Sequence, residues 1–233
     1  MGEFFSLERT IDAFPKLLQS LNVTFEIVIV ATCLGLIFGF GLAMIRLFRL
    51  PVLYQIASVY ISFMRGTPII IQLYVVYYGL PMLSMNLFGL NINSWDKLFF
   101  IITAFVLNEI AFIGEIIRGA ILAVPVSQTE AGYSVGLTGL QTFVHIILPQ
   151  AVRAGLPNFT VDLVSLFQGT SLAFLLGAVD IIGRARMIGT NTAHIFDPYV
   201  AAAVIFIIIS VLLEFAFGKI QKKGDVVYGR IHS

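Results

Sequence analysis

Arg65, Glu109, Glu115, Arg118 and Asp162 are charged side chains set inside long apolar stretches. A charge at that depth is costly and is held either by an opposite charge or by a watery cavity. Arg65 is followed by Gly66, Thr67 and Pro68, which let a helix open locally and free backbone groups toward a ligand. Two readings of Arg65 are open. Its guanidinium faces a watery cavity and meets an anionic group there, or it pairs structurally with Glu109, Glu115 or Asp162. Glu115 and Arg118 stand three apart and can pair along one helix face. Asn108 and Glu109 lie deeper, where a side chain would see a cavity. Asp162, Ser165 and Gly169, spaced by three and four, share a further helix face, with Thr170 and Ser171 at its edge. This is chemistry of binding. There is no GxxxxGK[ST] phosphate loop and no Ser-His-Asp or paired-carboxylate set outside the apolar runs. Cys33 is the only cysteine, and His145, His194 and His232 are scattered, so neither an internal disulfide nor a Cys/His metal cluster is expected.

The elements that hold these residues must be membrane helices. Of the 233 residues, 58% are hydrophobic and 12% charged, and the mean hydropathy is +0.96. A soluble domain carries about twice that charge. A net charge of +1 gives no basic surface for nucleic acid. Crossing a hydrocarbon core of roughly 30 Å takes about 20 helical residues. Five runs qualify: 21–47, 54–83, 98–124, 157–179 and 199–218, with a polar segment at 125–150. No alternating strand pattern appears, so the fold class is an all-α integral membrane protein forming a single transmembrane domain over 1–233. Gly35 and Gly39 make a small-xxx-small face for close helix contact. The opening MGEFFSLERTIDAF lacks the features of a cleaved signal, so the first span is expected to be retained. Glu26 and Glu214 lie near span ends and are expected to reach water. His194 and Asp197 are expected in an exposed outer loop, and Tyr77, Tyr78 and Tyr199 in an interfacial belt.

Five spans put the two ends on opposite sides. With the N-terminus outside, the inner side holds Arg46, Arg49, Arg118, Arg153, Lys219, Lys222, Lys223 and Arg230. The outer side then holds Arg9, Lys16, Lys97, Arg184 and Arg186, a bias that favours this orientation.

The polar segment reads EAGYSVGLTGLQTFVHIILP from Glu130 to Pro149. It suggests a short helix, a turn at Gly136 that uses positive φ, and a second short helix, with Pro149 marking the start or kink of the next element. An amphipathic interfacial helix without a partner would also fit. The segment resembles the EAA loop of ATP-binding-cassette importer permeases, with Gly132 where that family more often has alanine. FMRGTP and LNEIAFIGEIIRGAI are similar to the family's polar-amino-acid members, whose third helix reads SLNSAAYxAEIxRGGI. LPNFTVDLVSLFQGTSLAFLLG is similar to their LPxxxNxxISLLKDTSL, with Gln168-Gly169 in place of Lys-Asp.

The resemblance covers about 18–223 and implies the transmembrane domain of a type I ABC importer. It implies a multi-pass protein of the bacterial cytoplasmic membrane that is a transport subunit rather than an enzyme. Glu130, Ala131, Gly132, Gly136 and Leu137 would couple it to two ABC ATPase subunits, which bind ATP and Mg. A second permease chain, identical or different, and an extracytoplasmic solute-binding protein would complete the machine. Arg65, Thr67, Asn108, Glu109, Asp162, Ser165, Gln168, Thr170 and Ser171 would line the amino-acid site. Members for cationic amino acids resemble one another in having two acids on the fourth helix, and this chain keeps the first alone, at Asp162. SLAFLLGAVDIIGRARMI resembles the corresponding segment of cystine permeases, so a polar or sulfur-containing amino acid such as cystine is expected. A cationic amino acid, or an ion-coupled carrier or channel using Asp162, Glu109 and Arg65, stands as the alternative.

Overall fold

Where no water is at hand to satisfy the backbone, Leu-, Ile-, Val- and Phe-rich runs can only pair their amides within a helix. The computed structural model describes residues 5–232, with side chains to residue 222, and holds no strand among them. α1 (Leu7–Leu18) is capped by the Ser6 hydroxyl and turns Thr10, Ala13 and Leu17 inward. α2 (Leu21–Leu47) is the first long apolar helix. α3 (Leu53–Gly66) and α4 (Ile69–Phe88) are separated by two extended residues, Thr67 and Pro68. α5 (Lys97–Leu122) starts at an Asp96 cap. α6 (Val126–Ser134) and α7 (Gly139–Thr142) form the polar segment. α7 passes through a wider turn at Phe143–Ile147 into α8 (Leu148–Gly169), which tightens into a 3-10 turn at Thr170–Leu176. α9 (Ile181–Thr192) is capped by Asp180, and α10 (Phe196–His232) closes the chain.

Five helical stretches among the described residues are long and apolar enough to cross a membrane: α2, α4, α5, Gly139–Leu176 and Phe196–Lys222. Two bounds differ from those expected. The run 54–83 is two helices, because Pro68 lacks an N–H and its ring pushes Thr67 out of the helical region. The fourth stretch begins at Gly139 rather than at 157, so the second short helix of the loop is the base of a span. Pro149 sits in the first turn of α8, as expected of a residue that marks where an element begins. The Leu148 N–H reaches back to the Phe143 carbonyl, and that widened turn absorbs the missing donor at Pro149.

Packing follows the glycines. A Cβ on Gly35 would lie 2.8 Å from Ile113 Cδ1 and 2.9 Å from Glu109 Cβ, and one on Gly39 would lie 2.9 Å from the Gly114 nitrogen. α2 therefore rests backbone to backbone on α5, directly behind Glu109. Ile27, Ala31, Leu73, Ile101, Phe105 and Phe167 fill the centre between α2, α4, α5 and α8. A second cluster, built on Leu17, Ile181, Ala185 and Ile205, ties α1 and α9 to α10.

Asp197 corrects an expectation. It is buried, 1% exposed, and accepts from the Ser6 N–H at 3.0 Å and from Arg9 Nε at 2.5 Å. It fastens α1 to α10 instead of decorating a loop, while His194 is half-buried beside it.

Candidate functional site

The break between α3 and α4 leaves carbonyls without helical partners. Thr67 Oγ1 donates to the Phe63 carbonyl at 2.8 Å. Gln72 Nε2, from the first turn of α4, donates to the carbonyls of Met64 at 2.8 Å and Thr67 at 3.1 Å. Sealed in this way, the break forms one wall of a cavity of about 230 Å³. α4 and its lead-in supply Thr67 and Ile69, α5 supplies Phe105, Asn108, Glu109 and Phe112, and α8 supplies Asp162, Ser165, Leu166 and Gly169.

Five of the nine residues singled out for the amino-acid site meet here: Thr67, Asn108, Glu109, Asp162 and Ser165. Glu109 is 4% exposed, and its carboxyl faces the same cavity as that of Asp162, near enough for the two to interact. The second acid that α8 lacks is thus supplied by α5. Thr67 and Ser165 both spend their hydroxyl protons on the backbone, Ser165 on the Val161 carbonyl at 2.9 Å. They offer the cavity oxygen lone pairs alone. One N–H of Asn108 Nδ2 is likewise occupied, donating to Gln72 Oε1 at 2.9 Å.

Arg65 stands beside the cavity. Its guanidinium is 5.3 Å over the ring of Phe112, which lines the cavity, and its charge acts on Asp162. Nη1 is 3.9 Å from Glu115 Oε2, with the arginine side chain 47% exposed. Glu115 also takes Arg118 in a forked contact at 2.9–3.2 Å, and Arg46 from α2. The pairing of Glu115 with Arg118 agrees with their spacing, whereas Arg46 is a partner that local spacing does not reveal.

Gln168, Thr170 and Ser171 lie elsewhere. Gln168 Nε2 contacts Ser210 Oγ at 3.3 Å in a separate depression shared with Ser171. Thr170 is fully buried and donates to the Phe167 carbonyl at 2.6 Å. One residue is a 100° turn of an α-helix, so Gln168 points well away from the Gly169 edge. The 3-10 turn after Gly169 then carries Thr170 and Ser171 further round.

The polar segment is built as a hairpin of two helices. Gly136 has φ +82°, and the N–H of Leu137 reaches back to the Gly132 carbonyl at 3.1 Å, closing α6. Thr138 and Gln141 cap α7 reciprocally. Gly132 is buried because a Cβ there would lie 2.6 Å from Thr142 Cγ2. Thr142 occupies the space that alanine at 132 would need. Glu130 and Ala131 are exposed, and so are Tyr133, Val135 and Leu140, with Val135 75% and Leu140 74% exposed.

Residues 32–223 match the family described as binding-protein-dependent transport system inner membrane component. The L-cystine transport system permease protein TcyL of Bacillus subtilis (strain 168) is 36% identical over 223 residues, 96% of this chain and 93% of that protein. The arginine transport system permease protein ArtQ of the same organism is 31% identical over 214 residues, 92% and 94% of the two chains. Among solved structures, the crystal structure of an amino acid ABC transporter with histidines superposes with a TM-score of 0.82 at 25% identity, covering 94% of this chain and 99% of that one.

Proposed function

The chain belongs to the binding-protein-dependent transport system inner membrane components, and from that premise we propose that it is the permease of an ATP-driven importer whose cargo is an amino acid, L-cystine first. It is a transport component rather than an enzyme. The observation that carries the cargo reading is the polarity of the cavity. Glu109 and Asp162 meet on one side, and Arg65 stands over Phe112 at the edge. A zwitterion fits that arrangement, with its ammonium toward the carboxyls and its carboxylate toward the guanidinium. Cystine carries two such zwitterionic ends.

A second reading has its own support. With Glu109 beside Asp162, the site has two acids after all, which suits a cationic side chain such as that of arginine. The absence of an acid at Gly169 argues against this in the sequence, and the position of Glu109 supports it.

The energy comes from partners. Two ABC ATPase subunits carrying ATP and Mg dock on the α6–α7 hairpin from the cytoplasm. A second permease chain, identical or different, completes the membrane unit. An extracytoplasmic solute-binding protein delivers cargo to the side that holds the N-terminus. ATP-driven closure of the ATPases rocks the spans around the midplane cavity, and hydrolysis resets them.

The test is reconstitution with the ATPase in proteoliposomes, followed by thermal stabilisation and ATPase stimulation across the standard amino acids and L-cystine. Stimulation by L-cystine, lost in Asp162→Asn while assembly and basal hydrolysis persist, is the expected result. Stimulation by L-arginine alone would move the reading to a cationic amino acid, and unchanged stimulation in Asp162→Asn would remove Asp162 from the site.

A further inference from the structure

Gln72 is 2% exposed and does not line the cavity, yet its amide decides what one wall of the cavity offers. Its nitrogen contacts the carbonyl oxygens of Met64 at 2.8 Å and Thr67 at 3.1 Å, and Thr67 Oγ1 at 2.9 Å. Carbonyl oxygens can only accept. Turning the Gln72 amide over would set its own oxygen against two others, so Nε2 is fixed toward the helix break. Oε1 is then fixed on the opposite side, where it needs a donor. That donor is Asn108 Nδ2 at 2.9 Å, and Asn108 in turn cannot be turned over without setting Oδ1 against Oε1. Two amides in series carry the polarity of the break into α5.

We propose that Gln72 is a positioning residue for the substrate: through this relay it turns the Asn108 carbonyl oxygen, rather than its NH2, toward the cavity as an acceptor for the substrate's ammonium group. The proposal rests on reading this cavity as the amino-acid site. Its consequence is a wall made wholly of acceptors. Asn108 Oδ1 joins the carboxyls of Glu109 and Asp162 and the lone pairs of Thr67 and Ser165, whose protons are already spent. An Asn108 free to rotate would present two N–H groups to the ammonium half the time, and that end of the site would lose its sign.

The test uses the complete transporter in proteoliposomes, with solute-binding protein and ATPase. The probe is whichever standard amino acid, or L-cystine, gives the largest stimulation. Gln72→Met keeps the length but removes both halves of the relay. It is expected to raise the half-maximal substrate concentration about tenfold, the scale of one hydrogen bond to a charged group, with the maximal rate changed less than twofold. Asn108→Ala should do the same, and the double variant should be no worse than Asn108→Ala alone, because Gln72 acts through Asn108. Gln72→Glu keeps an acceptor for Asn108 Nδ2 but cannot donate to the break. It should weaken thermal stability and leave the half-maximal concentration unraised, since an added carboxylate can only help a cation. If Gln72→Met does not assemble, Gln72→Glu decides alone. An unchanged half-maximal concentration in Gln72→Met, additive losses in the double variant, or a rise in Gln72→Glu would each overturn the proposal. If Asn108→Ala and Asp162→Asn both leave that concentration unchanged, or no amino acid stimulates, the cavity reading itself fails and takes this one with it.

Discussion

Glu115 is the single carboxylate among three guanidinium groups, those of Arg46, Arg65 and Arg118. Its side chain is 13% exposed, so solvent screens the group poorly. Removing the carboxylate from such a half-buried cluster leaves uncompensated charge and is costlier than losing a surface pair. Glu115→Gln is expected to destabilise the purified permease by about 3 kcal/mol, and adding Arg46→Met should recover part of that loss. Thermal unfolding in detergent measures both, and a loss below about 1 kcal/mol would reduce the cluster to surface-pair strength. At this scale the sequence was legible where charge sits in an apolar run. Asn108, Glu109 and Asp162 stand out there, and the structure brings them to one cavity. Gln72 was not legible, because a neutral amide five residues past a helix break carries no signal until its partners are known. Arg46 was hidden for a related reason: its partner lies 69 residues away.

The elements depend on a few close contacts that tolerate little volume. Gly132 packs against Thr142, where a methyl would come within 2.7 Å of both side-chain tips. Gly132→Ala should therefore spread the α6–α7 hairpin and weaken ATPase association. Thr142→Ala in the same chain should restore it, because the two positions share one space. Pull-down of the ATPase reads this, and failure of the second change to rescue would show that the clash is not the cause. On α9 the determining group is Asp180, wholly buried, with Oδ1 accepting the Gly183 N–H at 2.8 Å and Oδ2 without a partner. Burial pushes its carboxyl up to about 6, well above the ordinary value of about 3.9. Between those values the folded state holds a proton that the unfolded chain has released. The associated stability is present below about pH 4 and is lost as pH rises through 6, a change of about 3 kcal/mol. Amides of α9 should exchange hydrogen faster at pH 7 than at pH 5, after correction for intrinsic rates. Asp180→Asn, which keeps an acceptor for the cap, should abolish the difference; a pH effect that survives the substitution would assign it elsewhere. Helix existence was readable from apolar length, but helix ends were not. Pro149 stands in the first turn of α8, as its place in the sequence suggests, but a widened turn joins α7 to that helix so that the stretch runs on without a gap.

On the scale of the whole molecule, the cavity between α4, α5 and α8 and the α6–α7 hairpin are linked by a single stretch of chain. Gly139–Leu176 starts in the hairpin and ends beyond the cavity, so α7 is joined to Asp162 and Ser165 along one helical stretch. This continuity is not legible in the sequence, where the polar loop and the fourth apolar run are separate stretches, and it gives the coupling proposal a mechanical path. The hairpin keeps Val135 and Leu140 about three-quarters exposed, an arrangement that favours a partner over water. Because neither side chain supports the fold, Val135→Asp and Leu140→Asp should leave the spans and the cavity intact. In the assembled importer these changes are expected to cut ATP-driven uptake and substrate-stimulated hydrolysis at least tenfold, roughly the effect of burying an unpaired carboxylate in an interface. Thermal stabilisation by the same amino acid should persist. Glu130→Arg and Gly136→Asp should act in the same direction, the second also by disfavouring the positive φ at the turn. An ion-coupled carrier or a channel has no use for this hairpin, so uptake that survives all four substitutions, and survives a partner unable to hydrolyse ATP, would exclude the importer mechanism.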